Sequence, residues 1–228
     1  MRRAIAGCLL VLTVALAGTA AGAHSDNGVS SLTATQILAK AREAVAGAQS
    51  VNVYGSGTSD GSPIALNLKL VKGQGGAGHL AVGGLAFDIV RVGPSAYFKG
   101  AASFWSHFTK SPGLQELFAG KWLRASATKG DLASLTPLTD MVALTNELLK
   151  PTGSIRKGPT TVIGGQPAIE LIDSDGGILY IATTGPPYPL RVKSGGKDTG
   201  KIIFGRWNRS FPLTRPGKSL DFTKLTGG

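Results

Sequence analysis

The chain has 228 residues, a formal net charge of +11, 33 glycines and one cysteine, Cys8, so no disulfide framework holds it and an apolar core must. The basic excess falls late, with 12 Lys or Arg against 5 Asp or Glu from Lys150 onward and 10 against 8 over residues 24–149. These bases are scattered singly, with no helical motif or aromatic interleaving, which argues against nucleic acid and for a peripheral, anionic membrane surface.

Met1-Arg2-Arg3, an apolar stretch from about Ala4 to Ala17 and the small residues Ala21-Gly22-Ala23 have the three-part form of a secretory signal peptide. The run is shorter than the ~20 residues a spanning helix needs. Residues 1–23 are therefore expected to be a leader removed after Ala23, and the protein to be exported to an extracytoplasmic space. Ile5-Ala6-Gly7-Cys8 spells the small-residue pattern of lipoprotein processing but lies inside the apolar run, which argues against a lipid anchor at Cys8.

Residues 24–31 read as a polar linker, and residues 32–228 as one domain. Over residues 32–48, Thr33 and Gln36 form a capping box, and Ile37, Leu38, Ala41, Ala44, Val45 and Ala48 share one apolar face, which predicts a helix. The period then changes: Ile64, Leu66, Leu68 and Leu70 alternate with Ala65, Asn67 and Lys69, as in a strand with one apolar face. Gly75-Gly76, Gly83-Gly84 and Gly93-Pro94 bracket antiparallel strands at 78–82, 85–92 and 95–99. A second meander of similar rhythm follows, with strands at 167–172, 177–183, 190–193 and 201–207 punctuated by Gly164-Gly165, Asp175-Gly176 and Gly195-Gly196.

Between the meanders lies a helical insert. Phe104, Trp105 and Phe108 fall on one short helix, Leu114, Leu117 and Phe118 on another, and residues 137–149 on a third. The expected class is α+β: a strongly curved antiparallel sheet, a half-barrel, wrapped over a few helices.

Catalytic chemistry finds little support. His24, His79 and His107 stand far apart with no metal-ligand spacing. Asp173 and Asp175 sit on a hairpin tip and read as turn residues, no G-x-S-x-G elbow occurs, and the glycines of 73–78 lack the helix of a phosphate cradle. No catalytic residue, metal or cofactor is therefore expected. What stands out is apolar surface in excess of what short helices can cover. Ile64, Leu66, Leu68, Leu70, Leu80 and Val82 from the first strands are candidates to line a cavity, with Phe87, Ile89 and Phe98 beside them. Phe104 and Trp105 from the insert and Ile178, Tyr180, Leu190 and Phe204 from the second meander complete the set.

Several segments also follow a known order. The helix of 37–48 with a strand at Val51, Ala96-Tyr97-Phe98-Lys99-Gly100 before Phe104-Trp105, and Gly120-Lys121-Trp122-Leu123 come first. Leu148-Leu149-Lys150-Pro151-Thr152-Gly153, Gly164-Gly165-Gln166-Pro167-Ala168 and the stretch from Leu179 to Gly185 with Tyr188-Pro189-Leu190-Arg191-Val192 follow. Together they resemble the LolA-like carriers, in particular the actinobacterial branch of LppX-like and LprG-like envelope proteins, over nearly all of residues 24–228. The resemblance implies a half-barrel over helices, with an apolar cavity that carries lipid or lipoprotein acyl chains across the envelope. It implies no catalytic residue; separately, a monomer is expected, with an envelope transporter as a candidate partner.

Two departures stand out. No cysteine ends the leader, which favours a secreted or wall-associated form, and Gly205-Arg206-Trp207-Asn208 replaces an Asp-Tyr-Gly turn, which predicts a different pocket edge. The competing reading is an envelope protein-interaction module with no lipid ligand, using the sheet edge or a groove; a hydrolase assembled from distant Ser, His and Asp residues is the third.

Overall fold

The computed structural model describes residues 25–59 and 61–226; the expected leader with Cys8, and His24, lie outside the described residues. Helix α1 (Ala34–Gly47) leads into β1 (Ser50–Ser59), β2 (Ser62–Val71), β3 (Gly75–Val82), β4 (Leu85–Val92) and β5 (Ser95–Gly100). The insert holds α2 (Ala102–Trp105), α3 (Pro112–Phe118), β6 (Leu123–Ser126), a 3-10 helix (Asp131–Thr139) and α4 (Met141–Leu148). The second meander is β7 (Ile155–Ile163), β8 (Gln166–Asp173), β9 (Ile178–Ala182), β10 (Pro189–Lys193) and β11 (Gly200–Gly205), followed by β12 (Leu220–Asp221) and α5 (Phe222–Thr226).

All twelve strands form one sheet in the order β12-β6-β5-β4-β3-β2-β1-β11-β10-β9-β8-β7. Every pairing is antiparallel except β12 with β6, and the sheet is strongly curved and unclosed, with the α+β architecture read from the sequence. The two meanders are joined where β1 pairs with β11, in a register that sets Val53 against Phe204 and Gly55 against Ile202.

Gly55 explains how closely the strands approach at that seam. Its φ is +154°, and a Cβ there would lie 2.1 Å from the Lys201 carbonyl oxygen, so only glycine lets the two strands approach so closely. Gly78, paired with Leu68 across β2–β3, repeats the device: a Cβ would fall 1.9 Å from the Asn67 carbonyl oxygen.

Helix α1 starts where its capping box places it. The Thr33 hydroxyl accepts from the Gln36 backbone N–H at 3.4 Å, and Gln36 Oε1 accepts from the Thr33 N–H at 3.0 Å. Ile37, Ala41 and Val45 are fully buried, and the helix packs against α4 and β7. A single large core lies between this helical layer and one face of the sheet.

Three local expectations change. Residues 25–31, read as a linker, are docked: Asn27 N–H donates to the Thr183 carbonyl at 2.8 Å, and its side-chain amide donates to Ala182 O at 3.0 Å and Gly185 O at 2.8 Å. Polar composition hides this because the contacts are backbone-directed. The helix expected over 137–149 is split, since Pro137 ends up inside the 3-10 segment and Asp140 caps a fresh helix by accepting from Ala143 N–H at 2.9 Å. Strand β7 was not anticipated, because Gly158-Pro159 interrupts its pattern with a bulge between Lys157 and Thr160.

Candidate ligand cleft

One cross-strand row organises the inner face. Leu171, Leu179, Val192 and Ile202 are successive partners on β8, β9, β10 and β11. The row then crosses the seam at Gly55 and continues through Leu66, Leu80 and Phe87 on β2, β3 and β4. The two halves are covered differently.

Over β3–β6 the hollow is filled. Phe104 stacks on Phe87 with ring centroids 4.8 Å apart and meets Trp105 edge-on at 4.8 Å. Trp105 in turn meets Phe118 at 5.5 Å and Phe222 at 5.9 Å, while Phe108 lies 5.1 Å from Phe104. Phe98, Phe104, Trp105 and Phe118 are all buried to 1% exposure or less, so this half is a solid aromatic plug made of favourable offset and edge contacts.

Over β8–β11 a cleft of about 670 Å³ remains. Its floor is aliphatic: Leu171 and Ile202 from the sheet, Leu38 from α1, and Leu149 just after α4. Leu148, Ile155, Leu179 and Val192 extend the apolar wall, and Ile64 reaches in from β2. The rim is polar, with Lys150, Pro151 and Thr152 on one side and Lys193 to Asp198 on the other. Its size lies in the range typical of small-molecule sites.

The residues expected to line a cavity divide into four groups. Ile64 lines the cleft; Ile178 borders it at the end of β9 and packs against the Tyr180 and Leu190 cluster on the other face. Leu68, Leu70, Leu80, Phe87, Ile89, Phe98, Phe104, Trp105 and Phe204 belong to the packed core, and Leu66 packs half-buried against it. Val82 is exposed. Tyr180 and Leu190 form a separate cluster with Ala168 and Ala182, on the opposite face from Leu179 and Ile181.

Two physical facts account for the misplacements. The β9 run Ile-Leu-Tyr-Ile-Ala is apolar on both faces, so alternation carries no information there. On β10 a bulge between Pro189 and Arg191 places Leu190 off the inner face, although it is two residues from Val192. The cleft residues missed in the sequence were visible only in part: Leu38 and Leu149 lay on predicted apolar helix faces, but nothing in the sequence said that those faces meet Leu171 and Leu179.

The charged groups at the rim are unevenly engaged. The Asp173 carboxylate accepts backbone N–H bonds from Gly177 at 2.7 Å, Asp175 at 3.1 Å and Thr152 at 3.3 Å, the turn role read from the sequence. Asp198 accepts from the Thr58 hydroxyl at 3.2 Å and the Gly61 N–H at 3.3 Å. Lys193 and Lys197 have no ion-pair partner among the described residues, and Lys150 reaches only Glu147, at 3.8 Å.

Elsewhere, burial beside Tyr180, reinforced by Glu170 and opposed by Arg191, raises the phenol's pKa. The 2.7 Å pair of Arg124 with Asp221 holds that carboxyl below its ordinary range, and the guanidinium correspondingly above its own. Its stabilising contribution is present above the usual carboxylate range and fades as pH falls through the lowered value. His79 bonds Asp88 at 2.9 Å, and His107 bonds the Ser103 carbonyl at 3.0 Å. Among the described residues no group of His, Cys, Asp and Glu is arranged to hold a metal, and no helix is long and apolar enough to cross a membrane.

No family model and no curated protein matches the chain. Among solved structures, LprF from Mycobacterium bovis superposes with a TM-score of 0.53 at 13% identity, covering 80% of this chain and 96% of that one. The fold is like that of LprF. LppX, a lipoprotein of Mycobacterium tuberculosis, matches at 14% identity over 79% of this chain and 99% of its own, with a TM-score of 0.48. A LolA superfamily protein from Nitrosomonas europaea matches at 12% identity over 81% and 98%, with a TM-score of 0.29.

Within this fold the Gly205-Arg206-Trp207-Asn208 departure lies at the end of β11 away from the cleft. None of its residues lines the cleft; Trp207 stacks on Tyr188 at 4.5 Å and donates from its indole N–H to the Pro189 carbonyl at 3.2 Å. The expectation that it reshapes the pocket edge is corrected accordingly, because β11 runs away from the rim before it reaches this turn.

Proposed function

We propose that this protein is a non-catalytic carrier that takes up lipid or lipoprotein acyl chains in the cleft between the helical layer and β8–β11, and holds or moves them in an extracytoplasmic space. The observation that carries this reading is the contrast between the two halves of one sheet: aromatic rings plug one, whereas the other keeps an aliphatic-floored space about 670 Å³ in volume. The likeness of the fold to that of LprF supports it as well.

The physics favours such a use. An acyl chain in water costs about 0.8 kcal/mol per exposed CH₂, and an aliphatic trough with a wet rim replaces that water without burying unpaired polar groups. Lys150, Lys193 and Lys197 at the rim suit anionic headgroups at a membrane face. Ile64, Leu38, Leu171, Leu179 and Ile202 are the residues proposed to touch the chain.

A second reading has one observation in its favour. Val162 on the sheet-edge strand β7 is 64% exposed, which is the kind of edge a protein partner uses. The two readings separate cleanly by experiment. Native mass spectrometry of protein isolated from its own host is expected to show co-purifying lipid on the unmodified chain and on Val162→Arg, and none on Leu179→Trp, whose indole fills the cleft. Lipid retained by Leu179→Trp, or lost from Val162→Arg alone, contradicts the proposal. Leu68, by contrast, lies fully buried in the core, so a tryptophan there overpacks it rather than filling the cleft.

A further inference from the structure

The volume and the rim together restrict what the cleft can hold. Taking roughly 30 Å³ per chain carbon, the share of a water-sized group in a liquid, the 670 Å³ cleft accommodates on the order of 20 carbons. Two 16-carbon chains need about 1,000 Å³ on the same scale. The cleft cannot grow inward, because the row that forms its floor runs straight into the plug. Gly55 stands at the seam, and beyond it Leu66 packs against the core, Leu80 and Phe87 are buried, and Phe104 and Trp105 are locked ring against ring. On the helical side Ile37, Ala41 and Val45 are fully buried, so α1 cannot lift without exposing its own core face.

The rim adds donors. Its formal charges balance, with Asp173, Asp175 and Asp198 against Lys150, Lys193 and Lys197, but the oxygens of Asp173 and Asp198 are turned to local donors, Asp173 to three backbone N–H groups and Asp198 to Thr58 and Gly61. The exposed ammonium groups of Lys193 and Lys197 have no ion-pair partner among the described residues, and Lys150 reaches Glu147 only at 3.8 Å. A headgroup leaving the cleft therefore meets charged N–H donors free to bind an acid.

We propose that the occupant is a single-chain anionic amphiphile, with one acyl chain along the aliphatic floor and its acidic head between Lys193, Lys197 and Lys150. This rests on the carrier reading and narrows it. Competition binding read by native mass spectrometry tests it, with palmitate, lysophosphatidylglycerol, dipalmitoylphosphatidylglycerol and neutral monopalmitoylglycerol as probes. The expected result is one palmitate or one lysophosphatidylglycerol per chain, with the diacyl lipid at least tenfold weaker. The double variant K193A/K197A should lose at least fivefold in palmitate affinity and less than twofold for monopalmitoylglycerol. Diacyl lipid bound at less than a tenfold disadvantage overturns the single-chain assignment while leaving the carrier reading intact. Palmitate affinity unchanged in the double variant, or reduced no more than monopalmitoylglycerol affinity, overturns the anionic head. If none of the four lipids binds, the carrier reading itself fails.

Discussion

Trp105→Ala is expected to destabilise the protein by about 3–5 kcal/mol, the range for removing a large aromatic side chain from a packed core. Trp105 is fully buried and is the hub of the plug, within ring-contact distance of Phe104, Phe108, Phe118 and Phe222. These partners come from α2, the turn after it, α3 and α5, so the indole ties the insert and the C-terminal helix to each other. Its indole N–H has no partner among the described residues, so the loss comes from packing, not from a broken hydrogen bond. Urea denaturation followed by circular dichroism measures it, with Val162→Ala as the control expected to change stability by no more than about 0.5 kcal/mol. A Trp105→Ala loss below ~1 kcal/mol would mean that this half of the sheet is loosely filled and available to ligand.

Gly55→Ala is the second large effect. The new methyl must displace the Lys201 carbonyl oxygen, 2.1 Å from the Cβ position, and the Ile202 Cα at 2.9 Å, both backbone atoms. Neither can swing aside as a side chain would, so a loss of about 3 kcal/mol or more is expected. Gly83→Ala provides the comparison. It has a φ of +58° with nothing within 4 Å of a Cβ, so only the left-handed backbone penalty of ~1 kcal/mol applies. Equal losses in the two variants, again by denaturation, would mean that the β1–β11 seam yields and that its close approach does not depend on Gly55.

The architecture was legible because its signals are local. Thr33 and Gln36 announce α1, and Gly83-Gly84, Gly93-Pro94 and Gly164-Gly165 mark hairpins that the sheet keeps in register, whereas Gly75-Gly76 falls inside β3, paired with Leu70 and Val71 just after the turn. Even alternation in β2 places Leu66, Leu68 and Leu70 on the core side. The site was much less legible, for reasons that lie in tertiary packing. Whether Phe87 and Phe98 line a hollow or fill it depends on whether Phe104, Trp105 and Phe118, carried by two short helices, reach them, and ring contacts between separate elements leave no trace in periodicity. Leu190 shows a second limit, since a single bulged residue moves a side chain to the other face with no change in composition. The aliphatic floor escaped notice because Leu171, Leu179, Val192 and Ile202 come from four strands and become one surface only through cross-strand register.

The central claim is that ligand sits over the aliphatic half of the row and the aromatic half stays dry and closed. Isotope-filtered NOE spectroscopy with ¹³C-palmitate on the unlabelled chain tests this most directly. The account predicts cross-peaks from the acyl chain to the methyl groups of Leu38, Leu171 and Ile202, and none to the ring protons of Phe98, Phe104 or Trp105. Cross-peaks to those rings, or none to the three aliphatic residues, would contradict it.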